Sequence, residues 1–126
     1  MQGASNTPLV SVIMNCYNGE RYLQEAIDSV YSQTYTNWEI IFWDNASTDD
    51  SAKIAQSYDS KVKYFHTKNN TPLGRARVSA IDKANGEYLA FLDCDDLWED
   101  VKLERQAGVI NGQHDIGLVY SRCEII

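Results

Sequence analysis

At 126 residues, with 44% hydrophobic and 11% aromatic residues, the chain is long enough for one compact domain with a true core. Its formal net charge of −7 lacks the basic footprint that nucleic acid or an anionic membrane requires. A diphosphate bound to so acidic a protein needs a divalent cation between the two negative partners.

Three cysteines, Cys16, Cys94 and Cys123, are odd in number and widely spaced, which fits free thiols rather than a disulfide framework or a zinc cluster. Residues 1–7 are polar and uncharged, unlike a signal peptide, and no apolar run approaches the ~18 residues of a membrane span. The expected location is therefore cytoplasmic. The Asn-x-Ser/Thr triplets at Asn45 and Asn69 then read as chance matches.

After a loose segment, residues 1–8, the apolar run at 9–14 predicts a buried strand, broken by Asn18-Gly19. Tyr22, Leu23, Ala26, Ile27, Val30 and Tyr31 recur at helical spacing and predict an amphipathic helix over 20–33. Residues 39–43 predict a second strand. Ser47-Thr48-Asp49-Asp50 has the form of a capping box, opening a helix that turns Ile54, Ala55 and Tyr58 inward. A third strand spans 62–66. Pro72 suits the first turn of a helix bearing Leu73, Ala76, Ala80, Ile81 and Ala84, with Gly86 as its stop. Residues 87–92 predict a fourth strand, 99–110 a helix and 116–121 a fifth strand.

Strand and helix alternate throughout, which predicts an α/β fold with a mostly parallel sheet and helices on both faces. The alternation stops without a closing helix, so the chain is expected to be a truncated, first part of a longer domain.

Ligands of an open α/β sheet bind outside the carboxyl ends of its strands. Here those ends carry Asn15, Cys16, Tyr17 and Asn18, then Asp44 and Asn45, then Asp93, Asp95 and Asp96. Carboxylates crowded on one turn repel unless a cation sits among them, and hard oxygen ligands suit Mn²⁺ or Mg²⁺ shared with phosphates. The plainer alternative is that Asp95 or Asp96 caps the next helix. Asp44 has two readings on position alone, a turn former or an acceptor for a base N–H or ribose hydroxyl. Tyr17 is a stacking platform or an ordinary half-buried tyrosine. Arg75 and Arg77 offer charge to a phosphate or are simply solvated; His66 and His114 stand isolated, and Cys94 has no histidine partner in sequence. Dinucleotide, P-loop and esterase motifs are all missing.

Read together, several segments are similar to family 2 glycosyltransferases of the GT-A, Rossmann-like fold. They are the opening run from Val10 through Asn15-Cys16-Tyr17-Asn18, Ser29-Val30-Tyr31-Ser32-Gln33-Thr34, and Trp38-Glu39-Ile40-Ile41-Phe42-Trp43-Asp44-Asn45-Ala46-Ser47-Thr48-Asp49. Leu73-Gly74-Arg75-Ala76-Arg77 and Asn85-Gly86-Glu87 through Asp93-Cys94-Asp95-Asp96 complete the match, in order and at family-like spacing.

The resemblance implies that residues 9–126 bind a nucleotide-diphospho-sugar donor, a UDP-sugar above all. Tyr17 would lie against the base and Asp44 would accept a hydrogen bond from it. Asp93 and Asp95 would form the Asp-x-Asp metal motif for Mn²⁺ or Mg²⁺, with Asp93 facing the ribose or metal waters and Arg77 approaching the donor. The sugar would pass with inversion to a hydroxyl of a saccharide or lipid-linked acceptor. A carboxylate base downstream of this chain would take the acceptor proton, so the chain alone is expected to bind donor without transferring sugar. A lipid-linked acceptor would place the whole enzyme peripherally at the inner face of the membrane, and an open sheet edge would favour a homo-oligomer.

Three positions depart from the family pattern: Asn45 for a common Asp, Trp43 for a smaller aliphatic residue and Cys94 for a small one. They bear on donor identity. The competing readings are a non-catalytic nucleotide-binding regulatory or interaction module, whose binding would ignore metal and Asp95, and a phosphotransferase with an Asp nucleophile. The latter class places its Asp-x-Asp after the first strand, not the fourth.

Overall fold

The computed structural model describes residues 7–111. Within them the chain runs β1 (Val10–Cys16), α1 (Glu20–Tyr31), β2 (Trp38–Asp44), α2 (Ser51–Ala55), β3 (Val62–His66), α3 (Leu73–Ile81), β4 (Tyr88–Phe91) and α4 (Lys102–Asn111). The strands form one sheet in the order β3-β2-β1-β4, and every pairing is parallel. The α/β expectation therefore holds; the fifth strand expected at 116–121 lies outside the described residues.

The two-residue period of the strands sorts the core onto two faces. Val10, Val12, Met14 and Cys16 of β1 pack with Ile40 and Phe42 against Leu23, Ala26, Ile27 and Val30 of α1, joined by Ala55 and Leu103. On the opposite face Ile13 and Ile41 meet Ala80, with Trp43, Phe65, Ile81 and Ala84 around them. Helices α1, α2 and α4 thus cover one side and α3 the other.

Glu39 is the polar exception inside this sheet. Its side chain is 4% exposed, and four donors converge on it. Oε2 accepts from Ser11 Oγ (2.6 Å) and Asn85 N (2.8 Å), while Oε1 accepts from Lys63 Nζ (2.8 Å) and Asn85 Nδ2 (3.3 Å). The carboxylate ties β1, β2, β3 and the turn before β4 into one unit.

Several boundaries differ from the sequence expectation, each for a tertiary reason. β1 continues through Asn15 and Cys16 because β2 pairs with it that far, Cys16 opposite Asp44. The capping box at Ser47 does not form. Helix α2 starts at Ser51 behind Asp50, whose side chain makes no capping bond, because the Ser47 hydroxyl accepts instead from Asn18 N at 2.9 Å. Tyr58 lies past the end of α2 and reaches Asp28 through its hydroxyl (2.7 Å). Pro72 stands at the N-cap of α3, Leu73 is exposed, and the helix ends at Ile81, so Gly86 is not its stop. Gly86 lies instead against β1, where its N–H donates to Ser11 Oγ.

Candidate functional site

Three strand ends converge on the carboxyl edge of the sheet. The register Ile13↔Phe91 between β1 and β4 is extended by the bond from Leu92 N to Ile13 O (3.1 Å). The chain then turns through Asp93–Asp96, closed by Asp96 N donating to Asp93 O. A carboxylate oxygen from each of Asp93, Asp95 and Asp96 lies within 4.8 Å of the others, and all three residues are exposed. Helix α4 begins only at Lys102, so neither Asp95 nor Asp96 caps it. Asp96, which the family resemblance did not single out, joins the pair. Partial burial and then the charges of Asp93 and Asp95 push its carboxyl above the usual range. Crowded, exposed carboxylates of this kind are a donor set that suits a hard divalent cation.

Arg77, from α3, brings Nη2 to 4.0 Å from Asp93 Oδ1 and stacks its guanidinium 5.5 Å from the centre of the Phe91 ring. The structure thus places Arg77 beside the acidic turn, whereas Arg75 is exposed on α3. Tyr17 leaves the end of β1 with 53% of its surface exposed.

Asp44 behaves differently from an open acceptor. It is 3% exposed, and each carboxylate oxygen already holds a donor: Ser47 N on Oδ1 (2.8 Å) and Tyr64 Oη on Oδ2 (2.6 Å). The first of these bonds is the turn-forming role in physical form, and a carboxylate with about four lone-pair sites keeps capacity for further donors. Burial, and then the bond to Asp44, push the Tyr64 hydroxyl well above the usual tyrosine range.

Asn18 and Asn45 read in the sequence as strand-end residues, Asn45 also as a departure from the family's Asp, and in the structure they stitch the site together. Asn18 Oδ1 accepts from Thr48 N (2.8 Å) and Asp49 N (3.3 Å), locking the loop after β2 to the loop after β1. Asn45 Oδ1 accepts from Thr71 N (3.0 Å) while its Nδ2 donates to Thr71 O (2.7 Å). This tie holds the segment before α3 in place and occupies Asn45 structurally. Trp43 turns to the α3 face, stacked on Phe65 at 6.2 Å, away from the face that carries Asp44. The side-chain partners, Thr48 and Asp49 for Asn18 and Thr71 for Asn45, sit on other loops, so no local spacing signals them.

Ala46, between these loops, has φ 66°, a left-handed conformation that costs an L-residue energy. Ala46→Gly is therefore expected to raise stability by about 0.5–1 kcal/mol, measured by urea unfolding, the gain from relieved strain exceeding the added chain entropy.

Beneath the site, Gly19 stands between two thiols. A Cβ built on it would lie 2.6 Å from Cys94 Sγ and 2.9 Å from Cys16 Sγ. A hydrogen bond from Cys94 lowers the Cys16 thiol pKa, burial opposes this, and Ser51 and the Gly19 amide lower it further. Cys94, as the donor of that pair, is pushed far above the usual thiol range.

The family model described as Glycosyl transferase family 2 matches residues 11–124. The chain belongs to this family. Among curated relatives, the putative teichuronic acid biosynthesis glycosyltransferase TuaG of Bacillus subtilis is 40% identical over 102 residues, 79% of this chain and 40% of that protein. The Escherichia coli protein named UDP-Glc:alpha-D-GlcNAc-diphosphoundecaprenol beta-1,3-glucosyltransferase WfgD is 38% identical over 119 residues, 94% of this chain and 47% of its own length. The chain thus spans less than half of either relative. Among solved structures, S. aureus TarS 1–349 in complex with UDP-GlcNAc superposes with a TM-score of 0.79 at 32% identity, covering 83% of this chain and 32% of that one. Homologues of this glycosyltransferase family thus include a protein crystallised with a UDP-sugar and one named for a lipid-diphosphate acceptor.

Proposed function

We propose that this chain forms the donor-binding part of a metal-assisted glycosyltransferase that takes its sugar from a UDP-sugar. The observation that carries the reading is the triad of carboxylates on the turn after β4, whose Cys94 lies beside Gly19 of the loop that follows β1. The UDP-GlcNAc complex of TarS, at 32% identity, supports a uridine nucleotide.

In this reading Tyr17, exposed at the end of β1, offers its ring to the base. Asp44 accepts a base N–H with a remaining lone pair while Tyr64 and Ser47 hold its orientation. Asp93 and Asp95 hold Mn²⁺ or Mg²⁺, with Asp96 within reach of the same ion, and Arg77 stands by for a donor oxygen. A cation there supplies charge neutralisation for the departing diphosphate, in place of a proton. The acceptor, a saccharide or lipid-linked hydroxyl, would be deprotonated by a carboxylate base to give inversion, and no residue of this chain is assigned that task. Work on a lipid-linked acceptor would place the whole enzyme in the cytoplasm, peripherally at the membrane.

The test is calorimetric titration of UDP with Mn²⁺ and with EDTA, beside Asp95→Asn. The expected result is metal-dependent binding that Asp95→Asn weakens at least about tenfold, the usual scale for losing a charged ligand contact. Binding indifferent to both EDTA and the substitution would replace this reading with a metal-free nucleotide-binding module.

A further inference from the structure

The acidic turn and the loop after β1 are joined by chemistry that sugar transfer does not use. Cys16 ends β1, and Cys94 lies on the turn that follows β4, the strand paired with β1. The side chains converge on one point: a Cβ built on Gly19 would lie 2.6 Å from Cys94 Sγ and 2.9 Å from Cys16 Sγ, so the two sulfurs share one small space beside that glycine. Any side chain at position 19 would drive between them, so Gly19 is what lets the two thiols share the space. Cys16 is buried and Cys94 half-buried, which gives the pair one solvent-facing member.

We propose that Cys16 and Cys94 form a modification site, a dithiol that a peroxide converts reversibly to a disulfide, and that the disulfide lowers donor affinity. The step balances. One thiol gives two electrons to the peroxide, becoming a sulfenic acid as one water leaves. The other sulfur then displaces the hydroxyl as a second water and closes the S–S bond; a dithiol reductant restores both thiols. The functional half rests on the donor-site reading. Cys94 lies between Asp93 and Asp95, and Cys16 immediately precedes Tyr17. Closing the bond fixes the sulfurs at about 2.05 Å, which ties the turn and its flanking carboxylates to the end of β1.

The experiment treats the Cys123→Ala chain with hydrogen peroxide, then maps thiols by alkylation and peptide mass, and titrates UDP with Mn²⁺ before oxidation, after it and after reduction. Expected are a Cys16–Cys94 disulfide, an affinity loss of about tenfold, of the size that small misplacements of binding groups cause, and full recovery on reduction. Cys94→Ser, which keeps a small polar side chain, should lose the peroxide effect, read as the ratio of its UDP affinity before and after oxidation; Cys16→Ala serves as the second control. Isolated sulfinic acids without the disulfide, or peroxide sensitivity that persists in Cys94→Ser, would overturn the proposal. A disulfide that leaves affinity unchanged would overturn the switch while sparing the donor site. If the reduced chain binds no UDP, the donor-site reading falls, whereas peptide mapping still decides the thiol pair.

Discussion

Glu39→Ala is expected to lower stability by about 3 kcal/mol, roughly 10 °C or more in Tm for a domain of this size. The substitution removes the one acceptor shared by Ser11, Lys63 and Asn85, leaving the fully buried Ser11 hydroxyl without an acceptor and breaking the tie to the turn at Asn85. Lys63 loses less, because its side chain is 42% exposed and water replaces the carboxylate. Burial by itself would raise the Glu39 carboxyl, but the bonds from Lys63, Ser11 and Asn85 outweigh it and hold the group at about 2, against an ordinary 4.5. A difference of that size is worth about 3 kcal/mol at about 1.36 kcal/mol per unit. The sign follows from a depressed carboxylate: the stabilisation is fully present above about pH 4.5 and is lost as pH falls towards about 2. Acid unfolding followed by circular dichroism checks this. In Glu39→Gln the loss of stability across that window should flatten, and an unchanged acid limb would remove Glu39 as its source.

Gly86→Ala is the second large effect, at about 3 kcal/mol of destabilisation, the upper end of what overpacking costs. A Cβ there would come within 2.6 Å of Leu9 O, 2.7 Å of Ser11 N and 2.7 Å of Ser11 Oγ. Two of these are backbone atoms, so no side-chain rotation relieves the contact. Leu9 O also accepts from Glu87 N (2.8 Å) and Tyr88 N (3.3 Å), which are the bonds that set the register of β4 on β1. Because β4 carries the Asp93–Asp96 turn, the same strain should reach the carboxylates. Urea unfolding should show the stability loss, and Mn²⁺-dependent UDP binding should weaken in parallel. A variant as stable as the parent would mean that β1 yields at its start more readily than paired backbone does.

Neither Glu39 nor Gly86 stood out in the sequence for these roles, although both lie in segments that matched the family. Glu39 read as one residue of an apolar strand, because its partners at positions 11, 63 and 85 belong to three other elements. Gly86 read as a helix stop, the usual meaning of glycine after an apolar periodic run. Its actual duty is close approach to another strand, which leaves no local pattern.

What the sequence by itself determined was the α/β alternation and the meeting of Tyr17, Asp44 and the Asp93–Asp96 cluster at strand ends. Hydrophobic periodicity and parallel topology suffice for that, since a parallel sheet delivers all its carboxyl ends to one edge. Tertiary structure alone decided how those residues are held. It turned Asp44 Oδ2 towards Tyr64, brought Arg77 to Asp93, and set Asn18 and Asn45 as ties between loops. It also laid Cys16 against Cys94. Each of these contacts joins residues far apart in the chain, and their distances depend on strand register and helix placement, which residue spacing within one element does not encode.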